Sequence, residues 1–234
     1  MPKQIGRLVL RRIFQTCGFL FVLSVICVLA LRWVPPLTTG VMIQRRVESW
    51  FEHGPYSSDY RWVSWKRISP NAALAVIASE DQNFAIHHGF DFKSMQKAMD
   101  AHDHGRRLRG ASTLSQQVAK NVFLWSGRSF VRKGLEAYFT VLIEVVWSKR
   151  RILEIYLNIV ELGDGIYGVE AASQRYFRKP AASLGAEEAA LLAAVLPNPI
   201  RLKAGKPSAY VRGRCEWIVQ QMGQLGGITI IKQF

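Results

Sequence analysis

Three stretches of this sequence carry residue types that could do chemistry together. The first runs Glu80-Asp81-x-x-Phe84-x-x-His87-x-Gly89-x-Asp91 and closes an apolar run, AALAVIASED. A carboxylate at the end of an apolar helix loses part of its hydration, which raises its pKa and makes it a usable base. The alternative is that Glu80 and Asp81 are solvated charges at a helix end and His87 caps a turn, since perturbed carboxylates mark sites only statistically. The second stretch is Gly110-Ala111-Ser112-Thr113-Leu114-Ser115-Gln116-Gln117-x-x-Lys120-Asn121. Gly110 and Ser112 read as a loop-to-helix transition whose following backbone N–H groups are free to receive an anion. Gln116 and Gln117 add amide donors, and Lys120 lies one turn further along. These groups suit sugar hydroxyls and phosphate oxygens, although an ordinary N-capped polar helix carries the same residues. The third stretch, Arg128-x-x-x-Arg132-Lys133-x-x-Glu136, gathers three cations beside an acid. As a clamp on a leaving pyrophosphate, cations so placed supply several kcal/mol of transition-state stabilisation. As a solvated basic face they make no more than a weak i, i+4 Arg–Glu pair.

Other polar signals are weaker. His102-x-His104 beside Asp103 has ligand residue types but no closed set, so it reads as loop, and no metal site is expected. Glu187-Glu188 reads as an acidic first turn that complements the helix dipole.

The elements that must position these groups are mostly helical. Ser69-Pro70-Asn71 starts the helix that ends at Glu80, with Pro70 suited to the first turn. From Phe130 to Glu161 the pattern is helical, with Leu135, Phe139, Leu142, Ile143 and Val146 at helical spacing and a break near Ser148, which is placed to cap a second segment. Gly163-Asp164-Gly165 and Gly168 mark a turn. A helix over 187–196 stops at Pro197-Asn198-Pro199, and a final helix covers about 207–225. Residues 100–112 and 125–129 are short polar stretches. No period-2 strand run and no internal repeat stand out.

Residues 13–31 run without a charge, and such a helix at roughly 1.5 Å per residue crosses a hydrocarbon layer of about 30 Å. Lys3, Arg7, Arg11 and Arg12 precede it with no acid among them, which keeps the arm 1–12 cytoplasmic. A cleaved signal peptide is the alternative, but its apolar core is usually shorter and ends at small residues, whereas Leu31-Arg32-Trp33-Val34-Pro35-Pro36 follows here. Residues 32–65, aromatic and basic beyond position 41, read as a membrane-proximal connector or a small lobe on the bilayer, and 66–234 as the main domain.

The net charge is +14 from 31 Lys+Arg and 17 Asp+Glu, and removing the arm's four cations leaves +10 on the rest. A surplus of that size calls for a polyanionic partner. With the body outside the cytoplasm, nucleic acid is excluded, leaving anionic lipid head groups or a phosphorylated substrate. Cys17 and Cys27 lie in the apolar span and Cys215 is the body's lone thiol, so no disulfide forms within the body.

Taken in order, the three stretches resemble the peptidoglycan glycosyltransferases of family 51. Lys149-Arg150-Arg151-Ile152-Leu153-Glu154-x-Tyr156-Leu157-Asn158 and Glu187 through Pro199 resemble that family's remaining blocks, so the likeness covers about residues 70–200. No penicillin-binding domain follows, which places the likeness with the monofunctional members. Ala111 departs from the pattern, where many members carry a second glycine.

The resemblance implies a lysozyme-like helical domain with a smaller membrane-proximal lobe, preceded by one transmembrane helix. It implies a bacterial inner-membrane protein with its catalytic domain periplasmic. Its substrates would be lipid II and the nascent glycan strand, with membrane lipids and other cell-wall synthesis proteins as neighbours. Glu80 would be the general base, taking the proton from the acceptor N-acetylglucosamine 4-hydroxyl as that oxygen attacks the anomeric carbon of the growing strand. Undecaprenyl pyrophosphate would leave with inversion. Glu136 would be the second carboxylate across the cleft. Lys120 and Arg128 would neutralise the leaving group, helped by Ser112, Gln116 and Gln117, with Asn121, Arg132 and Lys133 in the same substrate-binding set. Asp81, Phe84 and His87 would shape the cleft. A divalent cation such as Mg²⁺ would be bound through the substrate's pyrophosphate. Two other readings stay open: a glycan-cleaving enzyme of lysozyme type, which has no need of the Lys120/Arg128 cluster, and a non-catalytic assembly scaffold, for which Glu80 would be dispensable.

Overall fold

A computed structural model describes residues 2–52, 57–103, 112–127 and 129–234. The chain divides into two compact units, Met1–Pro36 and Leu37–Phe234. The first is a single helix, α1 (Pro2–Leu31). Its apolar part, Val9–Leu31, has 23 residues, and about 34 Å of helix is enough to span a bilayer. Phe14, Phe19, Leu20 and Phe21 stand exposed on it, as lipid-facing side chains do. The basic arm expected as a separate stretch continues the same helix.

In the second unit the helices sort around α3 (Pro70–Glu80). Ser69 caps it by accepting from the Asn71 N–H at 3.3 Å, and Pro70 occupies the first turn. Ala72 through Ala78 are all buried, so α3 is apolar all round, the signature of a central helix. α9 (Ala186–Ala194) and α10 (Ala209–Gln224) pack on it. The alanines of α3 and α9 allow close approach, and Val211, Ile218 and Met222 of α10 close the layer. A second group comprises α2 (Gly40–Glu52), α5 (Leu114–Phe123), α6 (Phe130–Val146) and α7 (Lys149–Ile159), with α5 touching the other three. Ser148 caps α7 at the expected break.

Residues from Leu37 onward, read from sequence as connector, belong to the compact unit. At Gly40 a Cβ would stand 2.2 Å from the Leu124 carbonyl oxygen, so only glycine lets the start of α2 abut the end of α5. Asn158 fastens the chain ahead of α3: its amide accepts from the Val63 N–H (2.8 Å) and donates to the Val63 carbonyl (3.0 Å). Glu154 takes the Trp65 N–H at 2.6 Å, and the Arg150 and Arg151 guanidinium groups lie over Trp65 and Trp62.

Several elements escaped the sequence reading, α2 among them. Helix α4 (Phe92–Asp103) takes in the first part of the polar stretch 100–112, so Asp103 ends a helix; His104 lies outside the described residues. A small sheet joins β1 (Asp59–Tyr60), β2 (Glu161–Gly163) and β3 (Ile166–Tyr167) in the order β1-β3-β2, with β1 parallel and β2 antiparallel to β3. Strands of two or three residues are too short to show alternation. Helix α8 (Val169–Phe177) follows directly.

Candidate active site

The chain leaves α3 through a buckle. Asp81 is buried, and His87 Nε2 lies 2.9 Å from each of its oxygens. The Gly89 N–H donates to His87 Nδ1 at 3.1 Å, so the ring proton of a neutral His87 sits on Nε2 and points at Asp81. Asp81 Oδ2 also accepts the Leu114 N–H at 2.9 Å, and the Thr113 hydroxyl donates to the Gly89 carbonyl at 2.6 Å. Gly89 has φ +88°, and a Cβ there would meet Thr140 Cγ2 at 2.8 Å, so the turn needs glycine on two counts. Phe84 is fully buried beneath the turn, with the Lys149 ammonium 4.7 Å above its ring. Asp91 starts α4: it accepts the Ser94 N–H and hydroxyl and the Asn83 amide, and these bonds hold its pKa down to about 2. The first block is therefore mostly a fastening of α3 to α5 and α4.

Glu80 turns the other way. Its Oε2 accepts from Gln117 Nε2 on α5 at 3.0 Å, and Arg214 Nη2 on α10 stands 3.7 Å from its Oε1. Burial pushes the Glu80 pKa up, while the Gln117 bond, Arg214 and Lys120 pull against that rise and Asp81 adds to it. The Tyr156 hydroxyl of α7 donates to Gln117 Oε1 at 3.1 Å from a fully buried position.

One turn along α5, the Lys120 ammonium makes no hydrogen bond or ion pair with any described residue. Burial lowers its pKa, opposed first by the negative charge of Glu136 and also by that of Glu80; Arg132 and Lys133 push in the same direction as burial. Glu136, buried on α6, accepts from Arg132 Nη1 at 2.7 Å and from the Lys133 ammonium. Arg132 Nε donates to the Gly127 carbonyl at 2.7 Å. Two acids from two helices thus act on one lysine that is unpaired among the described residues.

Of the residues singled out from sequence, Glu80, Gln117, Lys120, Arg132, Lys133 and Glu136 come together, with Asn121 half-buried on α5. Arg128 lies outside the described residues. Three expectations for the second block need correcting. Thr113, not Ser112, caps α5, and Ser112 is exposed just before it. Gln116 is consumed by the capping box: its Oε1 accepts the Thr113 N–H at 3.0 Å while its own N–H donates to the Thr113 hydroxyl. At the start of α5 two of the N–H groups expected to be free for an anion are already held, that of Leu114 by Asp81 and that of Gln116 by the Thr113 hydroxyl. In the third block Arg132 and Lys133 both pair with Glu136, so one of their two charges is balanced before any substrate arrives. Sequence reading missed Arg214 and the role of Tyr156. Nothing local marks Arg214, and Tyr156 sits in a block whose order was visible but whose contacts were not.

A protein-family model described as transglycosylase matches residues 47–223, from within α2 to the end of α10. This chain belongs to the peptidoglycan transglycosylase family. It is 55% identical over 221 residues, 94% of either chain, to a biosynthetic peptidoglycan transglycosylase of Chromohalobacter salexigens. It is 54% identical over 219 residues to one from Pseudomonas savastanoi pv. phaseolicola, covering 94% of this chain and 93% of the relative. It is 55% identical over 236 residues to one from Cronobacter sakazakii, covering 98% of this chain and 94% of the relative. The chain is thus a glycosyltransferase with a helical, lysozyme-like domain, and its matched region holds every site group named above.

Proposed function

We propose that this transglycosylase polymerises lipid II into glycan strands at the outer face of the bacterial inner membrane, with Glu80 as general base. The observation that carries the reading is the part-buried setting of Glu80: one oxygen is fastened by Gln117, the other has Arg214 at 3.7 Å, and the charge of Lys120 acts on the carboxyl as a whole. A base with a pKa lifted above the usual carboxylate range takes a proton from a sugar hydroxyl more readily. As the proton leaves, the hydroxyl oxygen bonds to the donor's anomeric carbon and the bond to pyrophosphate breaks on the opposite face, which inverts that centre. Lys120, whose ammonium has no hydrogen-bond or ion-pair partner among the described residues, meets the charge that develops on the pyrophosphate. Glu136 sets the local field that keeps Lys120 protonated.

A divalent cation such as Mg²⁺ would arrive with the pyrophosphate. The described residues contain no cluster of three or more His, Cys, Asp or Glu to cage one, and both Glu136 oxygens are taken by Arg132 and Lys133. The basic residues in the first turns of α1 orient the N-terminus to the cytoplasm and the body to the periplasm, where cations near the bilayer surface gain roughly 1 kcal/mol each from anionic lipid. The experiment is incubation of the purified full chain with lipid-linked disaccharide and, separately, with isolated sacculi. Long glycan from the first and intact sacculi in the second are expected. Soluble muropeptides released from sacculi would favour the lysozyme-type reading.

A further inference from the structure

We propose that Tyr156, acting through Gln117, orients the Glu80 carboxylate so that Oε1 receives the acceptor's proton, making Tyr156 a positioning residue for the reaction. The inference deepens the general-base reading and rests on it. Three groups from three helices form one chain: the Tyr156 hydroxyl donates to Gln117 Oε1 at 3.1 Å, and Gln117 Nε2 donates to Glu80 Oε2 at 3.0 Å. Its polarity has only one self-consistent setting. An ionised carboxylate offers acceptors alone, so the amide nitrogen must face Glu80. The amide oxygen then faces Tyr156, whose hydroxyl must donate.

Tyr156 is fully buried, and desolvation together with the charges of Glu80 and Asp81 keeps its proton on well beyond the ordinary tyrosine range. It therefore remains a donor across any working pH. Glu80 Oε1 has a different environment. Among the described residues its close cation is Arg214 Nη2 at 3.7 Å, beyond direct hydrogen-bond reach, so its lone pairs are open to a substrate hydroxyl. The charged groups facing Glu80 are Arg214 from α10, Lys120 from α5 and Asp81 beside it in the chain. A Tyr156→Phe change removes none of them. It removes the one donor that holds the Gln117 amide oxygen, so the amide is aimed less firmly at the carboxylate and is free to flip when Glu80 is protonated. A weakened bond to the charged form of Glu80 raises that acid's pKa.

The test is the pH profile of kcat/KM for glycan polymerisation by the full chain carrying Tyr156→Phe. Activity needs ionised Glu80, so it is lost as pH falls through that pKa, and the variant's acid limb should lie at higher pH than the wild-type limb. At neutral pH kcat should fall about 3- to 10-fold, the size of one hydrogen bond, with much of the loss recovered at higher pH. Adding Tyr156→Phe to Gln117→Met should cost nothing beyond Gln117→Met alone, because both break the same chain. Should Tyr156→Phe lose its cooperative melt, Gln117→Met, altered at the half-buried link, must show the shifted limb by itself. An acid limb left in place in a folded variant, or losses that add in the double variant, overturns the inference. Glu80→Gln separates the two levels. If it is inactive while the limb of Tyr156→Phe stays in place, the positioning role alone fails; if it retains wild-type activity, the general-base reading fails first.

Discussion

Glu80 and Asp81 are neighbours in sequence and opposites in surroundings. Asp81, where α3 gives way to the turn, has its oxygens filled by His87 and the Leu114 N–H, and it fastens two helices together. Glu80, in the last helical position, has one oxygen held by a neutral amide and the other facing cations at longer range. The same split divides the α5–α6 pair: Gln116 is closed in a capping box while Gln117 reaches the cleft, and Arg132 is spent on Glu136 while Lys120 is not. Saturated polar groups stabilise and do no chemistry. Groups left one partner short in a half-buried place are the ones able to meet a substrate.

The sharpest way to break this contrast is to remove Lys120, the cation left unpaired among the described residues. Lys120→Ala should lower kcat by tens- to about 100-fold with a much smaller change in KM, since its charge matters most as pyrophosphate forms. Equal losses in kcat and in acceptor binding, measured by steady-state polymerisation, would place Lys120 with the ground state instead. The pH profile of the wild-type chain sharpens the same point. Its acid limb should lie above the usual carboxylate range because burial raises Glu80, and its alkaline limb below the usual lysine range because burial lowers Lys120. A plateau running through both ranges would show that neither group titrates in the rate-determining step.

On the saturated side the expected effects are on stability. Asp81→Asn leaves His87 or the Leu114 N–H short of a partner and should cost about 1–3 kcal/mol of unfolding free energy, read from a denaturant titration. The smallest effect belongs to Asp91→Ala, which removes the bonds that start α4 and should cost about 1 kcal/mol with polymerisation rates unchanged. Because the Asp91 pKa is depressed to about 2, its contribution is present above the ordinary Asp range and is lost as pH falls toward that value. Wild type and Asp91→Ala should therefore converge in stability only as pH falls through about 2 and below.

What was legible from sequence follows the range of the forces involved. Caps act within one turn, so Ser69-Pro70-Asn71 and Ser148 marked true helix starts. The all-apolar run before Glu80 announced a buried helix, while its spacing alone left open whether the acid at its end was desolvated or solvated. Helix α4 was hidden because its lysines, glutamine and aspartates match the polar stretch it runs into, and the strands because two or three residues carry no period. Gln116 and Gln117 could not be told apart without the true cap: with Thr113 at the N-cap, Gln116 occupies the third helical position and folds back, and Gln117 points one step further round. Arg214 and Tyr156 reach the site only through packing of α10 and α7, contacts between distant parts of the chain that no local pattern encodes.

The account turns on one carboxylate, so the most direct measurement is the rate at which purified full-length Glu80→Gln polymerises lipid-linked disaccharide, beside a thermal melt of the same sample. A loss of at least ~100-fold in a variant that still melts cooperatively is expected, the lower end of what a general base supplies. A folded Glu80→Gln chain working within a few-fold of wild type would contradict it.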